Sequence, residues 1–169
     1  TYAGRIADTW FYIHNPNVKV GRLQVFNNWS PYLVADYKNT IWLGLEYFCT
    51  EGDDMWNMSD DQLKELARHE LAELQFIAPQ QTIIDSHVEK VKKAYPAYHG
   101  TYNNLASLTS WLDSIGNLYC IGRNGQHRYN NMDHSMLTAI EAVNNIVTGN
   151  TSHRNIWNVN TDSNYHEAK

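Results

Sequence analysis

The sequence predicts an α+β fold, and three observations carry that expectation. Aromatic and β-branched runs, broken by turn residues, fill the first fifty positions. A capped amphipathic stretch begins at Ser59. Beyond residue 100, two more runs with helical spacing flank a polar, glycine-containing loop. The chain has 169 residues, enough for one domain or one and a half, and at 43% hydrophobic it has the material for a core.

The first fifty residues hold 11 of the 21 Phe, Trp and Tyr residues, so the early sheet should have an aromatic face. Strands are expected near Trp10–His14, Arg22–Asn27 and Thr40–Cys49, with Pro16 and Gly21 marking the first connection. Such density reads either as a sheet face packed on helices or as an aromatic wall facing a flat substrate. Ser59-Asp60-Asp61-Gln62 is a capping-box pattern. Leu63, Leu66, Ala67, Leu71 and Leu74 follow at helical spacing, which predicts a helix from about Asp60 to Phe76. His69 and Glu70 lack the second His of a zinc H-E-x-x-H motif and read as a solvated face.

Val88 to Tyr98 reads as a further strand ending at Tyr95-Pro96. Leu105, Leu108, Leu112 and Ile115 predict a helix over 101–115, with Gly116 as its C-cap. The expected sheet therefore combines 10–49 with 88–98, covered by the 60–76 and 101–115 helices. A last strand, Leu118–Ile121, leads through the loop from Gly122 to Ser135 into a helix from Met136 to Val147, closed by Gly149. Met136, Ile140, Val143 and Val147 form the apolar stripe of that helix. The tail, Asn150 to Lys169, is polar, with Trp157 and Val159 as anchors.

A net charge of −5 and a pI of about 5.8 argue against nucleic-acid binding through phosphate neutralisation. No apolar run approaches the ~20 residues of a membrane helix, and no charged-then-apolar signal segment opens the chain. Cys49 and Cys120 fall in apolar runs and read as buried free thiols, which makes a cytoplasmic setting the default. The sequons at Asn28, Asn57 and Asn150 then carry no weight.

The Gly122–Ser135 loop concentrates Arg123, His127, Arg128, Tyr129, Asn130, Asn131, Asp133 and His134 between an apolar run and a helix. Such a loop turns backbone N–H groups and a positive helix end toward an anionic ligand. His127, Asp133 and His134 match no strong metal-ligand spacing, so no metal is expected. Ser135 sits in no G-x-S-x-G elbow, and no catalytic residue is assigned.

The segment LYCIGRNGQHRYNNMDHSMLTAIEAVNNI, Leu118 to Ile146, resembles the C-terminal flavin-contacting segment of FAD-dependent amine oxidase-type proteins. The likeness is to the UDP-galactopyranose mutase and protoporphyrinogen oxidase-like branch. FNNWSPYLV (Phe26 to Val34), WLGLEYFCTEGDDMWNMSD (Trp42 to Asp60) and KAYPAYHGTY (Lys93 to Tyr102) resemble the substrate-domain part of the same proteins. The resemblance implies a substrate-domain-like part over 1–116, the last strand–loop–helix of a Rossmann-like FAD domain over 117–149, and a tail over 150–169.

It implies FAD contacts at Gly122, Arg123, Met132, Asp133, His134 and Ser135, the backbone of 132–135 facing the flavin and Arg123 near the pyrophosphate. Tyr129, and with it Tyr95 and Tyr98, would face the substrate, a small molecule such as a nucleotide sugar. Flavoproteins of this kind open with a G-x-G-x-x-G turn. None occurs here and residue 1 is Thr, so the chain is expected to be the C-terminal part of a longer FAD-dependent oxidoreductase or mutase. Its partner would then be the N-terminal FAD-binding portion of the same polypeptide. The alternative is a stand-alone aromatic-rich module that binds a carbohydrate or peptide without catalysis.

Overall fold

The computed structural model describes residues Ile6 to Asn160. The expected tail beyond Asn160, and the first five residues of the expected 1–116 part, lie outside the described residues. The chain divides into two compact units, Thr1–Lys92 and Lys93–Lys169. Among the described residues it contains a three-stranded antiparallel sheet and six helices, an α+β composition.

In the first unit, β1 (Trp10–Tyr12), β2 (Arg22–Val25) and β3 (Leu43–Glu46) lie in the order β1-β2-β3, shorter than the sequence suggested but in the expected places. Register pairs Tyr12 with Arg22 and Arg22 with Glu46, and it pairs Trp10 with Gln24 and Gln24 with Gly44. Residues directly opposite share a face. One face therefore carries Trp10, Tyr12, Arg22, Gln24, Gly44 and Glu46. The other is the core: Leu23 and Val25 are buried with Leu71, and Phe11, Leu43, Leu45 and Phe76 pack around them. Between β2 and β3 come α1 (Phe26–Trp29) and a turn of 3₁₀ helix, Pro31–Leu33.

Helix α2 (Asp60–Glu73) starts as its sequence dictates. Ser59 Oγ accepts from the Gln62 N–H, and Gln62 Oε1 accepts from the Ser59 N–H. It stops three residues early because Gln75 turns left-handed (φ 61°). Phe76 N–H then reaches back to the Leu71 carbonyl at 2.9 Å and Gln75 N–H to that of Ala72 at 3.0 Å, a Schellman closure without glycine. Glu70 does not belong to a solvated face. It is 6% exposed, and its carboxylate accepts from the Lys19 and Val20 N–H groups and from the Tyr47 hydroxyl. His69, beside it, is exposed. Burial and the hydrogen bond to Glu70 push the Tyr47 phenol far above the ordinary tyrosine range.

No strand forms over 88–98. Its apolar residues Val88 and Val91 are three apart, a spacing that cannot line one side of a ladder. The segment is tied by side chains: Lys90 Nζ donates to the Trp56 and Met58 carbonyls at 2.8 and 2.7 Å, and Lys92 pairs with Glu51.

The second unit is helical. A 3₁₀ turn, Gly100–Asn104, leads into α3 (Leu105–Asp113), which ends at Ser114 rather than at Gly116. Leu118–Ile121 is not a strand either. Ile121 is extended (φ −124°, ψ 156°), but no neighbouring strand offers it a ladder. The expected loop instead folds into α4 (Gly122–Gln126), a short turn and the start of α5 (Met132–Thr148), which begins four residues before the expected Met136. Gly149 closes α5 in the left-handed region (φ 71°), as expected.

The apolar stripe Met136, Ile140, Val143 and Val147 is exposed. The buried line of α5 is Thr138, Ala142 and Asn145, which satisfies its polar atoms within the unit: Asn145 Nδ2 donates to the Ser152 carbonyl and to Asn155 Oδ1, both at 2.9 Å. The tail folds as α6 (Arg154–Trp157), anchored by buried His153, Ile156 and Asn160; Trp157 and Val159 are only half-buried. No helix among the described residues is long and apolar enough to cross a membrane.

Candidate functional site

The second unit brings most of the sequence-nominated residues around one side chain, Arg123. Gly122 opens α4 at φ 69°, a conformation that glycine adopts without strain. Its N–H donates to Thr138 Oγ1 at 3.0 Å, and a Cβ added to it would lie 3.9 Å from the Ser135 side chain. This packs the start of α4 against the first turns of α5 and aims Arg123 across the unit.

Arg123 Nε donates to the Asn130 carbonyl at 3.0 Å and Nη1 to the Ala94 carbonyl at 3.1 Å. Its guanidinium lies 4.6 Å from the Tyr129 ring centroid and 5.2 Å from that of Tyr95, and the two rings stack at 5.9 Å. The Tyr98 hydroxyl accepts the Tyr129 N–H, and its ring stacks on Tyr102 at 4.6 Å. Burial raises the Tyr98 phenol, with Arg128 and Arg123 near enough to oppose the rise.

The Arg123 side chain is a clasp between two backbone carbonyls. Arg128, which the sequence reading placed in the loop but not at the site, is the more telling residue. Its Nη1 donates to the Trp157 carbonyl at 2.8 Å and to that of Asn160, while its Nε is buried without a hydrogen-bond partner. Among the described residues no carboxylate pairs with either arginine. The signal was legible: from Gly122 to Asn131 the loop has two arginines and no acid.

The remaining nominated residues lie in the first turn of α5, which an Asn131–His134 capping box closes. Met132 is 81% exposed, and Asp133 is exposed in the first turn, where its charge complements the helix dipole. His134 faces back, its Nδ1 3.3 Å from the Asn131 N–H that it accepts. Ser135 N–H is already inside the helix, bonded to the Asn131 carbonyl. The buried amides Gln126, Asn130 and Asn160 hydrogen-bond one another behind this end and hold it in place. The structure thus gathers Gly122, Arg123, Tyr95, Tyr98 and Tyr129 and sets Met132 and Asp133 at the rim.

A second cluster in this unit joins α3 to α6. His153 Nδ1 lies 3.2 Å from Asp113 Oδ1, which also accepts from Trp157 Nε1 at 2.9 Å, and Tyr119 packs on the His153 ring. Burial, and secondarily Asp113, pushes the Cys120 thiol up, which disfavours its thiolate. Among the described residues no group of three His, Cys, Asp or Glu side chains is placed to hold a metal ion. No protein family, no curated protein and no solved structure matches the chain.

Proposed function

We propose that the second unit is the flavin-edge portion of an FAD-dependent oxidoreductase or mutase, with the first unit contributing to its substrate domain. One observation carries this reading: two part-buried arginines, neither with a carboxylate partner among the described residues, lie in the ten residues that lead into α5. Uncompensated positive charge is costly to desolvate unless an anion completes it. The orphaned Arg128 Nε is the donor such an anion would satisfy. These residues fit a phosphate or an anionic ring edge better than a neutral ligand.

Residues Met132 to Ser135 would present the positive end of α5 to the flavin, Gly122 would admit close backbone approach, and Arg128 with Arg123 would favour the cofactor's negative charge. Bound FAD supplies hydride acceptance or, in a mutase, a nucleophilic reduced ring. Tyr129, Tyr95 and Tyr98 would line the substrate side, where a nucleotide sugar is the proposed ligand. The exposed apolar stripe of α5 is the surface that the N-terminal FAD-binding portion of the polypeptide would cover. The free Cys49 and Cys120 support a cytoplasmic setting.

The test is flavin affinity in the full-length polypeptide. Arg128→Ala should weaken FAD binding by roughly 1.5–3 kcal/mol, the worth of a charge-assisted contact. A full-length protein that purifies without flavin and shows no saturable FAD binding overturns the reading.

A further inference from the structure

The sheet of the first unit has an open face whose make-up is independent of the flavin reading. At its centre is a polar trio. Arg22 Nε and Nη2 donate to Glu46 Oε2 at 2.9 and 2.5 Å, and Gln24 Nε2 donates to Glu46 Oε1. Around the trio stand aromatic rings: the Arg22 guanidinium lies 5.4 Å from Trp10, 5.7 Å from Tyr12 and 5.9 Å from Phe48. Trp10 and Tyr12 meet edge to face at 5.3 Å.

Two glycines leave room for rings close to the backbone. A Cβ at Gly21 would come within 2.6 Å of the Phe48 ring, and one at Gly44 within 3.1 Å of the Phe26 ring. Trp10, Tyr12 and Phe48 remain 38%, 44% and 54% exposed. Rings that served only to cover the ion pair would gain by burying that apolar surface. Exposed rings grouped around polar atoms are a feature of interaction surfaces.

The charges select the ligand class. Arg22 and Glu46 are paired with each other, so neither stands as an isolated charge for a phosphate or a cation. The face offers exposed aromatic surface together with a carboxylate whose side chain is 28% exposed and whose oxygens retain acceptor capacity. A neutral ligand with an apolar face and a rim of hydroxyls matches both features. We propose that this sheet face binds a neutral hexose, its C–H face against Trp10, Tyr12 and Phe48 and its hydroxyls donating to Glu46.

The test is titration of the full chain with maltohexaose, cellohexaose and laminarihexaose, followed by amide shifts in ¹H–¹⁵N spectra. Saturable millimolar binding of at least one, with shifts centred on residues 10–12, 22–24 and 44–48, is the expected result. Phe48→Ala and Tyr12→Ala, each checked for a native spectrum, should weaken that binding about tenfold, equivalent to ~1.4 kcal/mol. The proposal is overturned by no saturable binding to any of the three, by folded variants that bind as the parent does, or by shifts at this face with uridine or inorganic phosphate instead of the sugars.

Discussion

Replacing Arg123 by alanine separates ligand binding from packing at the proposed flavin-edge site. The side chain joins the Ala94 and Asn130 carbonyls and lies between two tyrosine rings. Asn130 is 2% exposed, so its carbonyl loses a partner that water replaces poorly, at ~1–3 kcal/mol. Two half-exposed cation–π contacts add roughly 0.5–1 kcal/mol each. The sum is about 2–5 kcal/mol, which in a unit of this size lowers the melting temperature by roughly 10–40 °C. Lysine cannot span both carbonyls with a planar fork, so Arg123→Lys should recover less than half of the loss.

The assay is thermal and urea unfolding of the cofactor-free chain, followed by far-ultraviolet circular dichroism for the second unit and by amide exchange at α4 and α5. The first unit should be unaffected, because every Arg123 contact lies within the second. An unchanged apo melting temperature together with weakened FAD binding in the full-length protein would refute the clasp and make Arg123 a ligand group.

Glu70→Gln should destabilise the first unit by about 2–4 kcal/mol, because an amide oxygen serves the Lys19 and Val20 N–H groups and the Tyr47 hydroxyl less well than a carboxylate; urea midpoints measure it. The folded state holds the Tyr47 proton more tightly than the unfolded chain. The stability this contributes is therefore present below the unfolded tyrosine pKa of ~10 and declines as pH rises beyond it. Tyr47→Phe should flatten the alkaline limb of stability against pH, and an unchanged slope would count against the coupling. Cys49, exposed, should react with a thiol reagent at neutral pH well before Cys120, whose thiol is pushed up by burial; timed mass spectrometry resolves the two.

Local rules were legible wherever the signal lies within a few residues. The Ser59–Gln62 capping box, the helical spacing after it, the glycine stop at Gly149 and the placement of all three strands follow from nearest-neighbour sterics and hydrogen bonding, and the sequence contains them. So does the concentration of polar groups in Gly122–Ser135. Pairing was not legible. The apolar runs at 88–98 and 118–121 look strand-like, but a strand exists only if another edge accepts its ladder, and no local pattern specifies that edge. Periodicity likewise found the apolar stripe of α5, while the tertiary fold buried Thr138, Ala142 and Asn145, because Asn155, Ser152 and the Gly122 N–H could satisfy that side.

The site divides in the same way. Sequence supplied Gly122, Arg123 and the tyrosines as residue types suited to an anionic, aromatic ligand. Tertiary contacts turned Arg123 into a clasp, left Arg128 Nε without a partner, buried Glu70 under a backbone turn, and set Arg22 against Glu46 beneath three rings. Charge and hydrogen-bonding capacity are properties of a side chain. Which of them is already used is decided by groups as far as 51 residues away in the chain, as at Lys19 and Glu70, so only the folded molecule reveals it.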